Sequence, residues 1–242
     1  MTINTDDLIN SIIDSLDRIE NVQLSDIPNM DLYMDQLTTF MDERLHKTTR
    51  YPGEDKILTK TMINNYAKND LLPPPIRKKY SKDHLILLIF IYYFKTVLSI
   101  SDVQTLLDPL KKRFHISDTD GLTLSEIYQT IFDIEEKEVD PLKEDLLKKA
   151  DIANSLFEDA EDADKDEMKL FAFLSLLAYD VYVKKLIIEK VIDGIDEKSG
   201  KNKSKEQLKE EKLLMVDMQY SMEKLDQNIS HMVNIHLLQF SK

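Results

Sequence analysis

The sequence predicts an all-α protein, built as a helical bundle with an acidic helical C-terminal region. Three observations predict this class. Only four glycines and seven prolines occur in 242 residues, so little turn chemistry is available for a many-stranded sheet. Apolar residues recur every three or four positions in most segments, which is the period of an amphipathic helix. The hydrophobic content of 42% is sufficient for a core.

Two helices are expected in the N-terminal segment. In residues 3–20, apolar side chains at helical spacing follow the cap candidates Thr5 and Asp6. Helical spacing returns from Met30 to Leu45. The segment Thr48–Asp55 contains a Pro-Gly pair and is expected to be a loop.

A short helix with one polar face comes next. Thr59 is a suitable N-cap for a helix that runs to about Asn69. The triproline at 73–75 cannot continue a helix. Residues Ile76–Tyr80, which are mostly basic, are therefore expected to form a short extended run.

Five further helices are expected before residue 200. The first, from Ser81 to about Leu98, is apolar on nearly all sides and should form the buried centre of this region. Met168–Ile192 is also apolar on most of its circumference, which is typical of a helix enclosed by others. The remaining three run from Asp102 to about Phe114 after the cap candidates Ser99 and Ser101, from a Thr123–Glu126 capping box to about Glu138, and from Pro141 to about Leu156.

The last predicted helix, about Glu206 to Phe240, carries a short heptad seam. The seam consists of Met215, Met218, Met222, Leu225, Ile229 and Met232. It can pack as an intramolecular hairpin against Met168–Ile192, or it can join two copies of the chain. Methionines and aromatic residues of both helices can form simple core or line a pocket for an unidentified apolar effector.

The net charge of −13 is distributed unevenly. Residues 1–43 hold ten acids and one base, whereas residues 44–113 hold fourteen bases and six acids, a net charge of +8. Residues 114–242 supply the remaining −12. Because phosphate binding depends on local positive potential, the middle segment is the part of the chain suited to a polyanion.

Several classes of protein are excluded or disfavoured. The chain has no cysteine, so it forms neither disulfides nor thiolate metal sites. The N-terminus lacks a signal-peptide pattern, and the apolar run Leu85–Phe94 is half as long as a bilayer requires. We therefore expect a cytoplasmic protein without a membrane partner.

No catalytic or cofactor motif is present. The sequence lacks a P-loop, a GxGxxG motif and a nucleophile triad, so we expect a protein that is not an enzyme and has no cofactor. His231 and His236 do not share a helix face, which disfavours a zinc site. Asp118–Gly121 is interpreted as a turn rather than a calcium loop, and the acidic segment Glu158–Glu167 as a solvated helix end rather than a metal site.

The basic middle segment has the residue types of a DNA-binding surface. A helix that enters the major groove needs an apolar back and a front of amides, hydroxyls and cations. Asn suits bidentate pairing with adenine, and Lys suits phosphate or guanine. The candidate DNA-binding residues are Lys60, Thr61, Asn64, Asn65 and Lys68 on the helix, and Arg77, Lys78 and Lys79 in the basic run.

The order of these features resembles the MerR-type winged helix-turn-helix. In that family a recognition helix leads through a Leu-Leu-Pro turn into a basic wing and two further helices. The resemblance implies that residues 59–69 are the recognition helix and residues 76–80 the wing, with Lys78 at a phosphate-contacting position. Asp70 stands where the family has glycine, and Asn64 where it has arginine. The candidate core residues of the module are Ile63, Tyr66, Leu72, Tyr80, Leu88 and Ile91, of which the resemblance implies Ile63, Tyr66 and Tyr80.

The segment from about Ile27 to Leu107 also resembles the bacterial domain of unknown function family 1836, which implies a transcriptional regulator. We therefore expect three regions: 1–48, acidic helices packed on the module; 49–116, the DNA-binding module; and 117–242, an acidic region for dimerisation or sensing. The expected partner is double-stranded DNA, bound by a homodimer because one helix reads only a half-site. The alternative is a non-enzymatic scaffold protein whose helix-turn-helix contacts another protein.

Overall fold

The computed structural model describes residues 11–13, 22–51, 57–116, 121–157 and 162–198. The predicted all-α class is confirmed, since these residues are mostly helical. A short helical stretch at 11–13 is followed by seven helices and by two strands of two residues each. The helices are α1 (Met34–Leu45), α2 (Lys60–Lys68), α3 (Lys82–Phe94), α4 (Ile100–Lys111), α5 (Leu124–Lys137), α6 (Val139–Asn154) and α7 (Asp162–Lys198); the strands are β1 (Leu32–Tyr33) and β2 (Lys79–Tyr80).

Helix α3 lies at the centre of the main core. Every residue from His84 to Tyr92 is buried, so the prediction of a helix buried on all sides is confirmed. The helix contacts α4, α5 and β2. It ends at Phe94 rather than near Leu98, because residues 95–97 form a turn.

Side-chain caps determine where several helices begin. The Oγ1 atom of Thr59 accepts a hydrogen bond of 3.2 Å from the backbone N–H of Met62, as predicted. Thr123 forms a reciprocal capping box with Glu126, also as predicted. Ser99 does the same with Asp102, so α4 begins at Ile100. The predicted start at Asp102 is wrong, because the acid lies in the first turn as the capping-box partner.

The two strands join the start of α1 to the basic segment. β1 and β2 pair antiparallel, with Leu32 opposite Tyr80 and Tyr33 opposite Lys79. α1 begins immediately after β1, and α3 begins two residues after β2. The pairing therefore holds the N-terminal ends of two helices at one small sheet.

Helix α4 contacts the C-terminal end of α2 through Lys111. α2 ends in a Schellman motif in which the Leu71 N–H donates to the Tyr66 carbonyl at 2.9 Å. This motif puts Asp70 in the left-handed region, with φ of 54°. The ammonium of Lys111 donates to the Asp70 carbonyl oxygen at 2.7 Å and to its carboxylate at 3.2 Å, and Asp108 lies 2.8 Å from the same ammonium.

The N-terminal end of α3 is connected to α4 as well. The Asp83 carboxylate accepts a 2.8 Å hydrogen bond from the backbone N–H of His115, which follows α4. The end of α2 is therefore contacted by α4, and the start of α3 by the segment that follows α4.

A second, smaller core lies between α6 and α7. Ala150, Ala153 and Phe173 form it, with Ile13 packed against it. Lys149 on α6 pairs with Asp180 on α7 at 2.8 Å.

Met168–Ile192 is only partly enclosed by the described residues. The expected partner helix, about Glu206 to Phe240, lies outside them, so full enclosure stays a prediction. Phe173 and Ile192 are buried, but Phe171, Leu174 and Val181 are 65%, 54% and 61% exposed. Among the described residues, the packing partners of this helix lie on one side, whereas its sequence is apolar on more than that side.

The chain divides into two compact units, Met1–Ile192 and Asp193–Lys242. Four predicted features lie wholly or partly outside the described residues. They are most of the helix at 3–20, the turn at Asp118, the start of the acidic segment at Glu158 and the heptad seam at 206–240. Among the described helices, none has the length and apolar character needed to cross a membrane. The predicted three-region division stays a prediction.

We expect Lys111→Met to lower the free energy of unfolding by about 1–2 kcal/mol, because it removes the donor to the Asp70 carbonyl oxygen. Urea unfolding measures the change. Lys112→Met is the matched control, since Lys112 is exposed, and it should change stability by less than about 0.5 kcal/mol. Equal effects of the two substitutions would contradict this role of Lys111.

Candidate nucleic-acid interface

Helix α2 separates its side chains into an apolar back and a polar front. Ile63 is fully buried and Tyr66 is 8% exposed, and both contribute to the main core. The polar front is solvent-exposed over its whole length. It consists of Lys60, Thr61, Asn64, Asn65 and Lys68.

The basic run does not have the extended conformation that the sequence predicts at its centre. The Ile76 and Lys79 backbones exchange hydrogen bonds of 3.1 and 2.9 Å, which close a two-residue hairpin. Arg77 and Lys78 form its turn, with φ of 51° and 64°. The prediction of an extended run is wrong at these two residues, because antiparallel pairing on both sides of the turn requires left-handed backbone there.

The left-handed conformation of this turn is energetically unfavourable for residues other than glycine and asparagine. Two-residue hairpins with left-handed central residues favour Asn-Gly or Gly-Gly, and a left-handed residue with a Cβ costs about 1–2 kcal/mol. Arg77 and Lys78 both carry long basic side chains here, and both are exposed. The hairpin therefore presents two cations at its tip at the expense of backbone strain.

The front of α2 and the hairpin both contact the start of α1. The Lys60 ammonium forms an ion pair with Asp35 in the first turn of α1. The Lys79 ammonium lies 5.2 Å from the ring centroid of Tyr33, the residue that precedes α1. Since Tyr33 and Asp35 are two residues apart, the two basic elements meet at one end of α1.

The candidate residues differ in whether their side chains already have intramolecular partners. Lys60 and Lys79 have the intramolecular contacts just described. The other six candidates make no side-chain hydrogen bond or ion pair within the described residues. These are Thr61, Asn64, Asn65, Lys68, Arg77 and Lys78. The exposed surface of α2 and the hairpin therefore carries cations and amides whose donors are available to a partner.

The hairpin rests on a buried histidine that the sequence analysis did not identify. The Tyr80 ring packs edge-on against His84 at 5.3 Å between centroids, and Phe114 lies on His84 at 4.6 Å. The Ser81 N–H donates to His84 Nδ1 at 2.9 Å. Burial lowers the pKa of His84, which keeps the ring neutral and Nδ1 able to accept.

The residues expected in the module core lie in the interior. Ile63, Leu72, Leu88 and Ile91 have no exposed surface, and Tyr80 is 2% exposed. The Ser-x-x-His spacing at the start of α3 has the capping-box period and could have revealed His84. Tyr33, Asp35 and Lys111 gave no local signal, because their contacts are formed across the chain.

Within the described residues, no candidate metal site accompanies this surface. In the ranges that the structure describes, no three His, Asp or Glu side chains come together in a way that could hold an ion. Binding at the surface therefore has to be argued from its cations and amides.

Residues 22–131 match the family model described as Domain of unknown function (DUF1836). This match confirms the family resemblance predicted for about Ile27 to Leu107. It begins before β1 and ends within α5, so it includes α2 and the hairpin. A search of the curated proteins found no match, and a search of the solved structures found none either.

We expect Lys78→Gly to be more stable than Lys78→Ala by about 1 kcal/mol. Both substitutions remove the cation, so the difference reports the backbone preference at a φ of 64°. Urea unfolding of the two variants measures it. If the alanine variant is as stable as the glycine variant, the left-handed conformation of the turn is wrong.

Proposed function

We propose that the segment matching the Domain of unknown function (DUF1836) family is a MerR-like winged helix-turn-helix module, and that the protein is a DNA-binding transcriptional regulator. The observation that carries the proposal is the meeting of α2 and the basic hairpin at the start of α1, through the Lys60–Asp35 and Lys79–Tyr33 contacts. Two separate basic elements are thereby available to one duplex.

The order of elements supports the same proposal. The elements follow one another in the order β1, α1, the recognition helix α2, the wing hairpin, α3 and α4. The wing strand β2 pairs with β1, which precedes α1. Helix α1 takes the role of the first helix of the motif, with residues 46–59 as a long connection to α2. The Schellman motif at Asp70 takes the role of the family's glycine.

Each element has a distinct task in this proposal. α2 enters the major groove, where Asn64 and Asn65 hydrogen-bond to base edges and Lys68 contacts phosphate. Arg77 and Lys78, at the tip of the hairpin, contact the neighbouring backbone. The net charge of +8 in residues 44–113 supplies the attraction that brings the duplex to this surface.

We expect the protein to bind a random duplex pool with an affinity that falls steeply with salt, because each phosphate contact releases counterions. Lys78→Glu with Lys79→Glu should abolish this binding at moderate salt. A gel-shift experiment over a salt series measures both effects. Lys137→Glu with Lys148→Glu, at two exposed lysines of α5 and α6, is the control with the same change in net charge, and it should bind nearly as the unmodified protein does.

Base readout is tested separately from charge. For a duplex selected by the protein, Asn64→Ala or Asn65→Ala should cost about 1–3 kcal/mol of binding and leave the salt dependence unchanged. A folded protein that retains no duplex at low salt would overturn the proposal. Binding of a protein partner that depends on the back of α2 and little on salt would then favour the scaffold alternative.

We further propose that the regulator acts as a homodimer, since a two-fold operator presents two half-sites. The described surface best suited to a second copy is the exposed side of α7. Phe171, Leu174, Ala178 and Val181 follow one another at spacings of three, four and three, which is a coiled-coil seam. Three of these four side chains are large, apolar and more than half exposed, which is unusual for a surface without a partner.

We expect Phe171→Glu with Val181→Glu to weaken dimerisation by a hundredfold or more, because two charges would enter an apolar interface (about 3 kcal/mol or more). Sedimentation equilibrium measures the dimer dissociation constant. Leu142→Glu on α6, also at an exposed apolar residue, should leave it unchanged. An unmodified chain that sediments as a monomer at micromolar concentration would contradict the dimer while leaving the DNA surface to its own test.

A further inference from the structure

A small cavity lies between α3 and α5, outside the surface described so far. Its free volume is about 30 Å³. Ile89, Phe90, Tyr93 and Phe94 of α3 line one side, and Tyr128, Ile131, Phe132 and Glu135 of α5 line the other.

The walls of this cavity are aromatic on both sides. Phe90 stacks with Phe94 at 5.7 Å between ring centroids, and it packs edge-on against Tyr128 at 5.6 Å. The Tyr128 hydroxyl donates to the Val22 carbonyl oxygen, so that ring is held in place. Phe132 lies 6.4 Å from Tyr128 and extends the wall. Aromatic faces carry partial negative charge and attract cations.

Two polar groups line the cavity together with these rings. The Tyr93 hydroxyl is buried and has no hydrogen-bond partner within the described residues, which is rare for a buried phenol. Glu135 is the one acid in the lining, and it is also exposed to solvent, so it lies at the open side of the cavity. The pKa of Tyr93 is raised to about 12 by burial and by the nearby Glu135 carboxylate, and partial burial raises the pKa of Glu135. Both groups would gain from a cation between them.

We propose that this cavity binds a small primary alkylammonium cation. The ammonium would donate hydrogen bonds to the Glu135 carboxylate and the Tyr93 hydroxyl oxygen, and the alkyl group would lie against the Phe90 and Phe132 rings. An anion is disfavoured by Glu135, and a purely apolar ligand would leave the Tyr93 hydroxyl without a partner. The free volume accommodates roughly two water-sized groups, which restricts such a cation to a short alkyl chain.

Three probes of nearly equal size separate the possibilities: ethylammonium chloride, ethanol and sodium acetate, each titrated at matched ionic strength. Ring resonances of Phe90, Tyr93 and Phe132, observed by NMR in the full chain, report occupancy. We expect saturable shifts with ethylammonium alone and a dissociation constant in the millimolar range, since so few atoms make contact. Equal shifts with ethanol would mean a plain apolar cavity, and shifts with none of the probes would mean no site; either result overturns the proposal.

Two variants test the assigned groups. Glu135→Gln should weaken ethylammonium binding by about tenfold or more, because it removes a charged hydrogen-bond acceptor. Glu136→Gln changes the adjacent acid of α5, which does not line the cavity, and should have no effect. If the two variants bind ethylammonium equally well, Glu135 is not the acceptor and the proposed site is wrong. The comparison of the three probes needs no variant, so it decides the matter even if a variant does not fold.

Discussion

Burial of α3 is the constraint on which the rest of the main core depends. Nine consecutive residues, His84 to Tyr92, are buried, so this helix has no face that can remain in water. Each fully buried Leu, Ile or Phe side chain contributes about 1.5–3 kcal/mol, and that contribution is available only if neighbours cover every side. β2, α4 and α5 supply the cover. Because β2 leads into α3 through Ser81, the position of α3 also determines the position of the hairpin.

The polar surface is a consequence of that arrangement. Apolar residues on the back of α2 join the same core, which leaves the amides and cations of its front exposed. The hairpin adds two cations on strained backbone, and its anchorage comes from Tyr80 on His84 beneath it and from the strand pairing beside it. Strain of this kind persists when the surrounding structure determines the conformation, and it is concentrated at functional sites. The proposed DNA-binding role would account for two cations held on strained backbone at Arg77 and Lys78.

Another side of α3 lines the cavity that it forms with α5. Its aromatic residues meet those of α5 around the cavity that contains the Tyr93 hydroxyl and Glu135. The same helix thus supports the hairpin at its start and lines the proposed cation site nearer its end. α7 differs from both, because its buried residues pack on both cores while its exposed apolar side chains form the proposed dimer surface.

What the sequence determined by itself is mostly local. The all-α class, the caps Thr59 and Thr123, and the two faces of α2 follow from periodicity and from hydrogen bonds that span three residues. Contacts between distant segments were decided by the tertiary structure. The strand pairing made the Arg77–Lys78 turn left-handed, where basic residues alone indicated an extended run. Among the described residues, Phe171, Leu174 and Val181 of α7 have no neighbour that buries them, where the composition of the helix indicated enclosure. Local patterns specify which face of a helix is apolar, but the presence of a neighbour against that face depends on the path of the whole chain.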